Sequence, residues 1–406
     1  MAISSTLDKT VSYVSIVVLI LIPVVSHAGG LGVAPLVFIL GLLGIVLKVR
    51  DNEPKIWFSL RFWALSVFFL WLSITALWSP YQPDDILTNY VKLFIMGLVF
   101  CFCPIVLKQT AKTKLVTLQR VFLTTIFMSA FLVFIDIWSN FKVTLFFNPA
   151  SNPGEIGYRL KDAEMNLGHA ITVLVLFSAP MTLLLKAYFK SWKLLTSLFF
   201  VLIVTASFLN NLWIGIFGLS AVFITMILDS KYYYNVPRIV VFLAAFSVIL
   251  APLFAFLSSQ IIEYDLSAVP LSWEHRLRMW AYCWPVILEQ PIIGSGFDAV
   301  RTFQEQWTAR DGKKLTIVSL HPHNAGIHIW VETGLIGCML ATGVILSSLK
   351  RISYYSKTRE KAVLLSGVIM AAVIISSTTY GAWQFWWWGS VFFSFGLIHL
   401  IPMIEA

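Results

Sequence analysis

Charge is the first thing this chain has little of. Asp, Glu, Lys and Arg make up 12% of its 406 residues, about half the roughly 25% usual in a soluble domain. Cysteine is scarce as well. Of the four, Cys101, Cys103 and Cys338 fall in apolar stretches and only Cys283 lies outside, so neither a disulfide framework nor a zinc spacing can be read. A nucleotide loop is also missing. The turn Pro291-Ile-Ile-Gly-Ser-Gly296 has no strand before it and no Lys-Ser/Thr after it, which argues against phosphate-loop chemistry. What the chain does have is apolar length: 58% of it is hydrophobic and the mean hydropathy is +0.82. Such a composition describes a polytopic all-α membrane protein. The net charge of +9 does not point to nucleic acid, because the basic residues come in short clusters at the ends of apolar runs, as topology requires.

Taking ~17 to 25 residues per span, the sequence predicts twelve transmembrane helices, near 11–27, 30–48, 57–78, 89–108, 118–139, 167–189, 191–209, 211–228, 238–258, 323–349, 361–380 and 384–402. The first resembles a signal peptide with Ser26-His-Ala28 as a cleavage site, but its charged leader is only Lys9 and further spans follow, so a retained anchor is expected. With the N-terminus cytoplasmic, every connection on that side is basic and holds nineteen of the 29 Lys and Arg, and both termini fall inside. Residues 1–406 read as one membrane domain, with 259–322 as a periplasmic loop inserted between helices 9 and 10.

The external positives concentrate in two segments. Ser139–Asn166 carries Arg159 and Lys161; Ser258–Pro322 carries Arg276, Arg278, Arg301, Arg310, Lys313 and Lys314. Positive charge is ordinarily depleted outside, so these residues either contact anionic lipid heads or clamp a phosphorylated substrate. Within the long loop, Trp273–Gln290 reads as an amphipathic helix on or in the membrane face, with Leu277, Trp280, Ala281, Trp284 and Leu288 as its apolar stripe, Ser272 as N-cap and Pro285 kinking or dividing it. Arg276 and Arg278 lie about 200° apart on it and cannot both face one ligand. Lys92, near the external end of its helix, either reaches the same anion or snorkels to lipid heads. Asp84 and Asp85, in a short external loop, are alternative bases.

The run His321-Pro-His-Asn324 leads into the apolar stretch 325–349. On a continuous helix His323, Trp330, Gly334 and Gly337 share one face, placing an imidazole above small residues that let a helix or lipid approach. His323 can be a base or simply a polar cap. His328 and Glu332, four apart, either satisfy each other or mark a functional site. His321 and His323 lack a carboxylate or Cys to complete a metal site. The aromatic run Trp383–Trp388 is read as an interfacial belt, with sugar stacking as the alternative.

These residues together resemble bacterial O-antigen ligases of the O-antigen ligase/polymerase superfamily. The elements are Arg276-x3-Trp280, Glu289-Gln-Pro291, Gly294-Ser-Gly296 and His323-Asn324-x9-Gly334-x-x-Gly337. Trp280 stands where leucine is usual. The resemblance implies a membrane glycosyltransferase of GT-C-like build that needs no metal or other cofactor. It would move a glycan from undecaprenyl diphosphate to a sugar hydroxyl of the lipid A-core oligosaccharide, completing lipopolysaccharide on the periplasmic face of a Gram-negative inner membrane, by inversion. It further implies His323 as general base, Arg276 and Arg159 on the diphosphate, and Arg278, Lys92, Asn324, Arg301 and Trp280 as substrate contacts. The implied partners are these two lipid-anchored glycans and membrane lipids, not nucleic acid. An O-antigen polymerase, a protein O-oligosaccharyltransferase and a twelve-helix transporter are the alternatives, though the large outward segment favours surface chemistry over alternating access.

Overall fold

Apolar chain that cannot reach water must satisfy its own backbone polar groups, and here it does so almost wholly as helices. The computed structural model describes residues 2–51, 59–82, 94–147, 156–232, 234–318 and 320–402. Its helices are α1 (Ala2–Val25), α2 (Val33–Arg50), α3 (Leu60–Thr75), α4 (Cys103–Trp138), α5 (Lys142–Phe147), α6 (Ile156–Tyr188), α7 (Trp192–Leu209), α8 (Trp213–Tyr232), α9 (Val236–Ile249), α10 (Ala251–Ile261), α11 (Leu271–Glu289), α12 (Ala325–Ser347), α13 (Leu349–Tyr355), α14 (Arg359–Thr378) and α15 (Phe385–Gly396).

Among the described residues, eight helices are long and apolar enough to cross a membrane. The pair α9–α10, bent by 57° where Pro252 cannot donate a backbone hydrogen bond, adds a ninth. Trp213–Ile227 and Phe385–Leu400 are shorter apolar helices. The protein is therefore a polytopic all-α membrane protein. Two expected spans lie in one 45-residue stretch, Phe94–Trp138, which the non-helical Lys114 (φ −130°, ψ 26°) divides. The chain reverses there. Gly41 lies so near the Val99 carbonyl that a Cβ would sit 2.3 Å from its oxygen, Gln109 donates to Asp8 (3.1 Å), and Ser129 donates to the Pro23 carbonyl (3.2 Å). The stretch thus runs down beside α2 and back up beside α1.

The basic connections collect on one face. Arg50 pairs with Asp8 at 2.8 Å, Arg238 donates to Ser353 at 3.0 Å, and Gln119 donates to the Leu400 carbonyl. The ends of α7, α12 and α14 nearest residues 209, 325 and 378 lie on the opposite face with the long loop. Helix α6 is the hub: over Ala163–Tyr188, 89% of the apolar window is buried, so it is apolar all round. Helix α7 instead turns Leu198, Val201 and Phe208 outward, as a lipid-facing helix does.

The long loop departs from its expected form in three ways. Helix α11 starts after Pro270 rather than at a Ser272 cap, and Pro285 lies within it without dividing it. Of the expected stripe, Trp280 and Ala281 are buried and Leu277 and Trp284 pack beside them, while Leu288 is exposed; Met279, Cys283 and Ile287 complete the buried face, which packs on Ala251 and Ala255 of α10 and on Ile327 and Val331 of α12. The helix therefore rests on protein, because the bend at α10 presents small residues to it. A two-stranded antiparallel hairpin, β1 (Gln306–Thr308) with β2 (Lys314–Thr316), pairs Trp307 with Leu315 and had no expectation in an all-α reading. His275 holds it, with Nε2 3.1 Å from the Thr316 and Ile317 carbonyls.

Helix α12 is not continuous either. Asn324 accepts from the Ile327 N–H (3.0 Å) and caps the helix, so His323 precedes the helix instead of sharing its face. At Gly334 the backbone leaves helical geometry (φ 61°, ψ −161°). Into that break docks the 291–296 turn: Leu335 N–H donates to Pro291 (2.9 Å), Ser295 N–H to Val331 (2.7 Å) and Gly296 N–H to Glu332 (2.9 Å). A Cβ on Gly294 would meet the Glu332 carbonyl carbon at 2.4 Å, and one on Gly334 would meet Ile292 at 2.4 Å. The two glycine motifs are halves of one backbone-to-backbone joint, and what approaches the small residues is this turn rather than a helix or lipid.

Candidate active site

The site is built where the last turn before α12 meets the end of α14. Trp280 of α11 is buried and donates its indole N–H to the Pro322 carbonyl (2.7 Å). That bond fixes the residue before His323, whose own φ of 51° is a left-handed conformation uncommon for a side chain of this size. His323 Nδ1 lies 2.5 Å from the Thr379 carbonyl. A carbonyl can only accept, so Nδ1 carries the proton and Nε2 keeps its lone pair. No described protein group bonds Nε2. Burial, reinforced by the Arg276 cation, pulls the His323 pKa down to about 4.

Arg276 comes to the same place from α11. Its Nε donates to the Thr378 carbonyl (2.9 Å), one residue from the carbonyl that holds His323. Nη1 donates to Ser272 (2.9 Å), and the guanidinium lies 5.3 Å from the centre of the Trp273 ring. Burial pulls its pKa below the usual arginine value, although an arginine keeps its charge in such surroundings.

The other loop arginines differ in one respect. Arg278 pairs with Glu274 at 2.9 Å and lies over Trp307; Arg310 pairs with the same Glu274 at 2.9 Å; Arg301 pairs with Asp298 at 3.0 Å and lies over Tyr81. Arg276 alone among them has no carboxylate partner in the described residues. A part-buried cation held only by carbonyls leaves its charge to be met by an anion.

Of the expected site residues, the structure brings Arg276 and His323 together and sets Trp280 and Asn324 behind them as supports. Arg278 faces Glu274 and the hairpin instead. Arg301 lies on the far side of His321. Arg159 falls where side chains are outside the described residues, as do Lys92, Asp84 and Asp85 entirely.

His321 joins His323 to a deeper polar cluster. The two rings are 4.4 Å apart, and His321 Nδ1 accepts the His323 backbone N–H (3.2 Å). Burial first, then the nearby His323 and His328 rings and the Arg301 and Arg276 cations, hold His321 well below the usual histidine range. Below it, His328 bonds Glu332 at 3.1 Å, and Glu332 also accepts from Trp383 Nε1 (2.5 Å) and the Val300 N–H (3.4 Å). Glu332 and His328 therefore satisfy each other inside a helix. Burial and the neighbouring Glu332 raise the Asp298 carboxyl, which Arg301 opposes. Within the aromatic run, Trp386 and Trp387 are buried and offer no face to a sugar, while Trp383 and Trp388 are part-buried and donate to Glu332 and to the Ala382 carbonyl. Sequence reasoning missed Thr378 and Thr379, which act through backbone carbonyls and leave no side-chain signal.

The fold and site define a class first: a polytopic helical membrane protein whose long loop carries, beside a neutral histidine, an arginine with no carboxylate partner among the described residues. Comparison with known proteins is more specific. Residues 194–342 match the family model described as O-antigen ligase, which takes in Arg276, the 289–296 turn and the His-Asn-x9-Gly-x-x-Gly element, so the resemblance drawn from those motifs is borne out over that segment. The chain is 30% identical over 156 residues to a protein of Rickettsia conorii named "Putative polysaccharide ligase", covering 37% of this chain and 38% of that relative. It is 24% identical over 410 residues to a protein of the same name from Rickettsia typhi, covering 92% and 94%, and 24% identical over 404 residues to one from Rickettsia prowazekii. No solved structure matches.

Proposed function

We propose that this protein is an O-antigen ligase: it transfers a glycan from undecaprenyl diphosphate to a sugar hydroxyl of lipid A-core oligosaccharide, at the periplasmic face of a Gram-negative inner membrane, with both termini cytoplasmic. The observation that carries the reading is the seating of Arg276 and His323 on the consecutive carbonyls of Thr378 and Thr379, with no carboxylate on the arginine among the described residues. Charge grows on the diphosphate as the glycosidic bond breaks, and a fixed guanidinium stabilises it. His323 Nε2, neutral and unbonded, accepts the proton of the attacking hydroxyl, a role worth ~10²–10⁴-fold in rate. Attack opposite the leaving diphosphate inverts the anomeric centre. Arg159 is the proposed second guanidinium, on the strength of the resemblance. The names of the relatives support ligation over polymerisation.

Purified protein reconstituted with a lipid-diphosphate glycan and rough lipopolysaccharide tests this. Glycan should appear on the lipopolysaccharide and undecaprenyl diphosphate should be released, and His323→Ala should stop both. Elongation of the lipid-linked glycan with the lipopolysaccharide untouched would make the protein a polymerase.

A further inference from the structure

Three histidines, two just ahead of α12 and one in its first turn, all meet the segment Thr379–Gln384, and hydrogen-bond accounting settles the proton of each. His323 donates from Nδ1 to the Thr379 carbonyl. His328 accepts the Ala382 N–H at Nδ1 (3.1 Å) and so donates from Nε2 to Glu332. His321 is the informative case. Its Nδ1 accepts the His323 N–H, and the Gln384 side-chain amide lies 3.0 Å from its Nε2. A neutral imidazole has one bare nitrogen and one N–H, so with Nδ1 accepting, Nε2 carries the proton and the amide must meet it with oxygen. The other terminal atom of that amide is buried without a partner among the described residues, so nothing opposes this orientation. Gly381 closes the ring in from behind: a Cβ there would lie 2.8 Å from the Cβ and Cγ of His321.

We propose that His321 is a positioning residue for the transfer: with its tautomer set by Gln384, it holds the left-handed backbone of His323 (φ 51°) through the His323 N–H and so keeps the base in register with Arg276. The inference rests on the ligase reading and extends it to a residue that itself touches no reacting atom. The tautomer matters because a proton on Nδ1 would face the His323 N–H donor to donor. Charge matters as well. His323 becomes a cation when it takes the hydroxyl proton, and a neutral ring 4.4 Å away does not oppose that as a charged one would. The groups facing His321 are His323, His328 with its Glu332 partner, Arg276, and Arg301 with its Asp298 partner; the two arginine cations favour the neutral ring.

Glycan transfer from a lipid-diphosphate donor to rough lipopolysaccharide, by the purified full chain in proteoliposomes, tests this. Asn places an amide oxygen near the position of Nδ1, and Gln places one near that of Nε2. His321→Asn should therefore keep kcat within about threefold of the parent, whereas His321→Gln and His321→Leu should each lose about tenfold or more in kcat with both KM values unchanged. Gln384→Glu offers the Nε2–H a carboxylate, favours the charged ring and puts a proton on Nδ1, so the acid limb of kcat/KM should move up by about one pH unit or more. His321→Gln at the parent's kcat, His321→Asn as slow as His321→Leu, or a raised KM at unchanged kcat would each overturn the positioning role. So would an acid limb that Gln384→Glu leaves in place, and the ligase reading would survive any of these. If His323→Ala transfers glycan as the parent does, the base and its support fall together.

Discussion

The acid limb of the transfer reaction is where the site geometry makes its most quantitative statement. A free histidine titrates near 6.5 and His323 near 4, a difference of about 2.5 decades, or on the order of 3 kcal/mol against the charged ring. Burial is the larger cause and the Arg276 cation the second. With a lowered pKa the active, neutral ring is present above about 4 and lost as the pH falls through it. The dependence of kcat/KM on pH reports the free enzyme, so its acid limb should fall near 4 and activity should be nearly flat from pH 6 to 8. Arg276→Gln should move that limb up, but not as far as 6.5, because burial remains. The limb of kcat itself should lie higher than that of kcat/KM, since a bound diphosphate offsets the arginine and favours the imidazolium. Initial rates in proteoliposomes, with each sample returned to pH 7 to show that acid exposure is reversible, measure all three. A kcat/KM limb at 6 to 7 in the parent protein would refute the account of His323 as a buried neutral base.

Three further outcomes follow from particular contacts. Arg276→Lys should lose most of the transfer rate, ~10²-fold or more, because a point charge cannot hold both the Thr378 carbonyl and a diphosphate as the planar fork does; near-normal turnover would mean that charge alone suffices. Gly294→Ala and Gly334→Ala should each cost about 2–4 kcal/mol by forcing a Cβ into facing backbone from a left-handed conformation, read as a lowered unfolding temperature in detergent; unchanged stability would contradict the joint between the turn and α12. Trp280→Phe removes one hydrogen bond, to Pro322, at about 1 kcal/mol. It should lower kcat more than it raises either KM, and equal changes in all three would argue against a positioning role.

Much of the architecture was legible because a bilayer restricts the alternatives. Runs of apolar residues of the right length read as helices, and clusters of Lys and Arg at alternate ends gave the pairing of those ends, as Asp8–Arg50 and Arg238–Ser353 show. The approach of His323 and Arg276 was also anticipated, since their motifs resembled one family. Other details were not local properties. Periodicity placed His323 on a helix because nothing in the spacing says that Asn324 will cap first. It put Leu288 in the buried stripe of α11, where it is exposed, because the surface that buries the helix, Ala251 and Ala255, lies past a proline bend. The short hairpin has strands too brief to show a pattern.

By itself, then, the order of residues determined a bundle of apolar helices and its basic face, because hydrocarbon burial and charge placement act on composition. Only the tertiary structure decided that Arg278, Arg301 and Arg310 are paired with carboxylates while Arg276 has none among the described residues, and that Thr378 and Thr379 hold the arginine and the histidine together. Those choices depend on which helix end meets which loop in space, and a backbone carbonyl carries no mark of its partner in the sequence.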